Sequence, residues 1–95
     1  MSVGFEWDAR KASANLRKHE VSFDEAATVF DDPLARIFDD PNHSLNERRE
    51  IIIGHSIRER LLLVCFSERP SKIRIMSARP LTRKERKDYE ENVFK

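Results

Sequence analysis

RLLLVCFSERPSKIRIMSAR, residues 60–79, decides the fold. Leu61, Leu62, Leu63, Val64, Cys65 and Phe66 form an unbroken apolar run, as a strand covered on both faces requires. Residues 72–79 alternate between Ile and polar side chains, the pattern of a half-buried strand. Pro70 and Ser71 supply the polar turn between them, so the two read as a hairpin with the first strand central in a sheet.

Side chains directly opposite in an antiparallel pair share a face, and a slip of one residue inverts them all. An even turn pairs Glu68 with Ile73, Phe66 with Ile75, Val64 with Ser77 and Leu62 with Arg79. The preceding run, RREIIIGHS at residues 48–56, threads the same way through a turn at 56–59, pairing His55 with Arg60 and Ile53 with Leu62. Ile51, Ile53, Leu62, Val64, Phe66 and Ile75 then share one face, with His55, Arg60 and Arg79 gathered at its edge. That edge is the candidate site.

Outward from this core, residues 5–7 are an apolar stub that can add an edge strand. Asp8 offers an N-cap to a helix ending at His19, whose apolar side is thin: Ala9, Ala12 and Leu16. Ser22 and Glu25 have capping-box spacing ahead of a second helix, striped by Phe23, Ala26, Ala27 and Phe30. Asp31, Asp32 and Pro33 end it, and residues 34–38 read as a strand. Thr82 and Glu85 make another capping box for a C-terminal helix over residues 81–95, anchored only by Leu81, Tyr89, Val93 and Phe94. It is expected to lie along the sheet edge or to dock fully against another chain. The fold class is therefore α+β: a mostly antiparallel sheet of about four strands, two N-terminal helices and one C-terminal helix.

Ninety-five residues make one domain, 1–95, large enough to fold alone. At 37% charged residues the surface is heavily charged, while 39% apolar and aromatic residues suffice for a core. Residues 1–56 hold seven Lys/Arg against eleven Asp/Glu, net −4, and residues 57–95 hold eleven against six, net +5. That polarity favours an anionic ligand for the second half and a basic partner for the first. The lone Cys65 can form no intrachain disulfide and reads as a packing residue in a reducing compartment. With no apolar run near the ~18 residues of a membrane span, a cytoplasmic protein without membrane contact is expected. Asp39, Asp40 and His43 lie in the longest loop, but no second His or Cys stands at ligand spacing, so no metal and no cofactor is expected.

The phrases FEWDARKASANLRKHEVSFDEAATVFDDP, IIIGHS, RLLLVCFSER and KIRIMSARPLTRKERKDYE, in that order, resemble the BrnT family of bacterial toxins from end to end. The resemblance implies a fold like that of the RelE and ParE toxins and a cytoplasmic ribonuclease that arrests growth. It also implies neutralisation by a cognate antitoxin with a ribbon-helix-helix DNA-binding half. The neutralised state is then a hetero-oligomer that touches DNA only through the antitoxin and autoregulates its operon. Where the family usually has glycine, after the Lys-His pair and before the Arg-Leu-Leu run, this sequence has Glu20 and Glu59.

RNA is cut without metal when a base takes the 2′-hydroxyl proton, cations stabilise the pentacovalent phosphate and an acid protonates the leaving 5′-oxygen. His55 supplies a group that titrates near neutral pH, and Arg60 and Arg79 supply planar forks that fit phosphate. Arg83 and Lys84, opening the last helix, are candidates for flanking phosphates. The competing class is a non-catalytic protein- or RNA-binding module of the same fold. Sequence-specific reading of nucleic acid is not expected, since neither RNP aromatics nor a helix-turn-helix signal is present.

Overall fold

The computed structural model describes residues 4–40 and 48–91. Its elements are β1 (Gly4–Glu6), α1 (Ala9–His19), α2 (Phe23–Thr28) running into a 3-10 turn (Val29–Asp31), β2 (Arg36–Asp39), β3 (Glu50–His55), β4 (Leu61–Glu68), β5 (Lys72–Pro80) and α3 (Arg83–Glu90). The strands form one sheet in the order β1-β5-β4-β3-β2, so the apolar run of β4 is central. Five strands replace the four expected, and the sheet is mixed, because β1 pairs parallel with β5 through Gly4 to Lys72, Phe5 to Ile73 and Glu6 to Arg74.

Both faces of the sheet are covered. α1 and α2 lie on one, where Phe23, Ala26 and Val29 pack with Ile52, Leu62, Val64, Phe66, Ile75 and Ala78. Phe30 bridges Phe5 and Phe66 with ring centroids at 5.3 and 5.0 Å, tying the edge strand to the centre. On the other face Ile53, Leu61 and Leu63 pack with Phe38, Ile51, Cys65, Leu81 and Tyr89. α3 thus lies over that face rather than along an edge. Tyr89 donates its hydroxyl hydrogen to the Leu34 carbonyl at 3.0 Å, anchoring the helix across the sheet.

The register departs from expectation at two places, each with a local cause. Ser56 N–H donates to the Arg60 carbonyl at 2.9 Å, and Glu59 has a left-handed φ of 62°. This is the three-residue hairpin loop that closes through a left-handed residue, an odd loop where an even one was expected. His55 therefore opposes Leu61, not Arg60, and Ile53 opposes Leu63. Beyond the second turn Glu68 opposes Ile73 and Phe66 opposes Ile75, as the even turn requires. A bulge at Met76 then shifts the pairing, so Cys65 opposes Ser77, Val64 opposes Ala78 and Leu63 opposes Arg79. The bulge keeps both Ile75 and Ala78 in the helix-covered core and turns Ser77 and Arg79 to the α3 face.

The helix signals translate unevenly. Asp8 caps α1 by accepting from the N–H groups of Arg10 and Lys11 at 2.8 and 3.0 Å. Glu20 ends α1 in the left-handed region at φ 58°. The Thr82 and Glu85 box is complete. The Ser22 box is half formed: its hydroxyl accepts from Glu25 N–H at 3.0 Å, but the Glu25 carboxylate turns into the protein. α1 is held less by its apolar side, where Leu16 is 51% exposed, than by buried Asn15. That amide donates to the carbonyls of Val21 and Ala78 and accepts from Ala78 N–H, all within 3.1 Å. It stands in for a neighbouring strand beside β5 beyond the reach of β1.

Candidate functional site

β3 and β5 finish, and β4 begins, at the same end of the sheet. His55, Arg60 and Arg79 all lie there, but the odd loop and the bulge divide them between faces. Arg60 follows the parity of Leu62 and Val64 onto the α1/α2 face. His55 and Arg79 share the α3 face, separated by β4. The single edge expected from the sequence is not formed.

Arg60 is tied to a buried carboxylate. Its Nε donates to Glu25 Oε2 at 2.9 Å, and its Nη2 donates to the other carboxylate oxygen and to the Glu20 carbonyl at 2.9 Å. The Glu25 side chain is 5% exposed, accepts a further bond from Ser56 Oγ at 2.7 Å and has Arg58 at 3.9 Å. Its carboxyl lies below the ordinary range, chiefly through the Arg60 hydrogen bond, against the opposing cost of burial. Arg60 therefore locks the left-handed turn after α1, α2 and the β3–β4 loop together.

His55 is half exposed and is positioned by a residue that sequence reasoning treated only as a helix stop. The Asp32 carboxylate accepts from His55 N–H at 2.7 Å and from Leu34 N–H at 2.9 Å, with His55 Nδ1 at 3.6 Å. The His55 N–H bond is the largest cause that lowers the Asp32 pKa. Gly54 makes this approach possible, since a Cβ there would stand 2.8 Å from Ala35 Cβ and 3.0 Å from Asp32 Oδ2. Tyr89, pushed up by burial, also feels the Asp32 charge. The Asp-Asp-Pro sequence carried a turn signal, but nothing local pointed Asp32 at a strand 23 residues away.

Arg79 meets Glu85 through two bonds, Nη1 to Oε1 at 2.8 Å and Nη2 to Oε2 at 3.0 Å, and Nη1 also donates to the Pro80 carbonyl at 3.2 Å. The bridge holds Glu85 at about 2, against an ordinary 4.5. Glu85 occupies the terminal edge of the guanidinium. The lateral edge, Nε–H with one Nη2–H, is a second fork of the geometry that takes phosphate. Arg83 and Lys84 are exposed at the start of α3, and Lys84 is 3.3 Å from Asp88. Cys65 is a free thiol packed with Leu61 and Leu63. Arg74 pairs with Glu6 at 3.1 Å. Among the described residues no group of three or more His, Cys, Asp or Glu is placed to hold a metal, and His43 lies outside them. No described helix is long and apolar enough to cross a membrane.

The site sets a half-exposed His and a carboxylate-paired Arg on one face of a small α+β domain, an arrangement that does not by itself separate an enzyme from a binding module. Comparison with known proteins decides the class: the chain belongs to the family described as ribonuclease toxin, BrnT, of type II toxin-antitoxin system, which matches residues 7–85. The fold is similar to the crystal structure of the Brucella abortus ribonuclease toxin, BrnT, with a TM-score of 0.65 and 20% identity, covering 86% of this chain and all of that one. A search of curated protein sequences finds no significant match.

Proposed function

We propose that this chain is an endoribonuclease toxin that cuts RNA without metal through the α3 face of its sheet, and that a cognate antitoxin silences it. The observation that carries the reading is the placement of His55, fixed by Asp32, on the same face and at the same end of the sheet as Arg79. In this chemistry the 2′-oxygen loses its proton and attacks phosphorus, the bond to the 5′-oxygen breaks, and that oxygen gains a proton. His55 performs one of the two proton transfers. The lateral fork of Arg79 holds the phosphate as its charge develops, and Arg83 and Lys84 hold flanking phosphates. Arg60 contributes by fixing the loop that follows His55 rather than by touching RNA. Family membership supports an antitoxin partner; we assign it a ribbon-helix-helix half through which the complex reaches DNA and represses its own operon in the cytoplasm.

The test is cleavage of a defined RNA in the presence of chelator. The expected products end in a 2′,3′-cyclic phosphate and a 5′-hydroxyl. Undiminished cutting of a substrate lacking 2′-hydroxyls, or activity lost in chelator and restored by a divalent ion, would overturn the chemistry.

A further inference from the structure

Net charge by sequence half places the positive surface in the second half, and the fold places much of it elsewhere. Many second-half cations are paired with carboxylates within 4 Å: Arg58 and Arg60 with Glu25, Arg74 with Glu6, Arg79 with Glu85, Lys84 with Asp88 and Arg86 with Glu90. α1 differs. It contains no Asp or Glu, and among the described residues Arg10, Lys11, Arg17 and Lys18 have no ion-pair partner. Lys11, Lys18 and His19 line a groove of about 270 Å³ floored by Met76 and Ser77 of β5, and no acidic residue lines it.

The position of this groove matters as much as its charge. β1 covers only the first three residues of β5, so no strand pairs with the outer edge of β5 at the bulge, where Asn15 of α1 satisfies Ala78. Lys11 and Lys18 stand seven residues apart on one stripe of α1, about 10.5 Å along its axis. A run of phosphates therefore spans both charges better than one small anion does. Ser77, in the groove, projects to the same face as Arg79, two residues and about 7 Å further along the strand.

We propose that the α1–β5 groove is the track that holds the backbone of single-stranded RNA as it passes round that edge of β5 to Arg79. This rests on the ribonuclease reading of that site. An acidic protein segment is the weaker occupant, because protein interfaces depend on apolar or aromatic anchors and the groove offers only Ala14 and Met76. Phosphate binding needs charge alone and is tolerant of sequence.

Binding of a labelled single-stranded RNA, 2′-O-methylated so that the proposed chemistry cannot cut it, is measured by anisotropy across a salt series. The proteins are the parent, Lys11→Gln/Lys18→Gln, and Lys72→Gln/Lys87→Gln, which removes the same charge from exposed sites outside the groove. The groove variant is expected to bind about tenfold more weakly at low salt. Its log–log salt slope should fall by about 1.4, two phosphates at ~0.7 each. The control should match the parent. Parental affinity and slope in the groove variant, or equal weakening in both variants, would overturn the proposal. So would RNA binding that is kept while binding of a poly-glutamate peptide is lost, which would make the surface a protein site. The two readings fail separately: a parent that cuts no RNA yet binds it through Lys11 and Lys18 keeps the track and removes the ribonuclease. Cleavage by a parent whose groove variant binds normally does the reverse.

Discussion

Arg60 and Arg79 leave the same end of the sheet on opposite faces, the first bonded to Glu25 of α2 and the second to Glu85 of α3. Two arginines that look alike in sequence, and are equally exposed, are thereby given different work, one tying α2 and the turn at Glu20 to the β3–β4 loop and one lying under α3. Their variants should fail differently.

Arg60→Ala leaves the Glu25 carboxylate buried with Ser56 as its main remaining partner and frees the turn at Glu20. Because Arg60 is itself 34% exposed and Arg58 stays near the carboxylate, the cost is expected to be about 1.5 kcal/mol, below that of a fully buried pair. That corresponds to a fall in Tm on the order of 8 °C for a domain of this size. Thermal melts decide it: an unchanged Tm with cleavage abolished would return Arg60 to the substrate site.

Acid should loosen α3 through Glu85. Its pKa is depressed from 4.5 to about 2, mainly by the Arg79 hydrogen bond. The stabilisation is therefore present above 4.5 and is lost as pH falls through about 2. Glu25 titrates in the same direction, so the informative quantity is the difference between parent and Glu85→Gln. The parent should lose more Tm across this window than the variant does; identical profiles would mean the bridge does not stabilise the fold.

Glu20 and Glu59 are the non-glycine residues with positive φ among those described, at 58° and 62°. Left-handed backbone costs a residue with a Cβ roughly 1–2 kcal/mol, and glycine's greater freedom in the unfolded chain returns part of that. Glu20→Gly and Glu59→Gly should each stabilise the protein by about 0.5 kcal/mol, measured by urea unfolding. Destabilisation by either would show that its side chain contributes more than its backbone strain costs.

Gly54→Ala should push the Asp32 loop away from β3, because the added methyl meets Ala35 Cβ at 2.8 Å. Overpacking of this kind costs about 1–3 kcal/mol. It should also break the Asp32 bond to His55 N–H, so the Asp32 carboxyl should titrate nearer its ordinary value by NMR. A variant with parental stability and an unmoved Asp32 titration would show that the loop yields without separating the two residues.

The elements were legible because their signals are local: the apolar run of β4, the Asp8 and Thr82 caps and the Pro70-Ser71 turn each act within a few residues. The faces were not, since two local irregularities decide them. The left-handed Glu59 makes the first loop odd, and the extra residue at Met76 inverts Ser77 and Arg79. The family's usual glycines at the positions of Glu20 and Glu59 were visible only as departures, and neither the left-handed turns there nor their effect on the register could be read from them. Asn15, Glu25 and Asp32 were unreadable as anchors because their partners lie 63, 35 and 23 residues away.

The central claim is that the face shared by His55 and Arg79 performs the cleavage, and single-turnover RNA cutting by His55→Ala and Arg79→Ala tests it most directly. His55→Ala is expected to melt close to the parent, and Arg79→Ala to melt lower because it breaks the Glu85 bridge, so rates are compared at a temperature where both variants are folded. Each should lose cleavage rate on the order of 10²-fold. Parental rates in both, from protein shown to be folded, would contradict the assignment of this face.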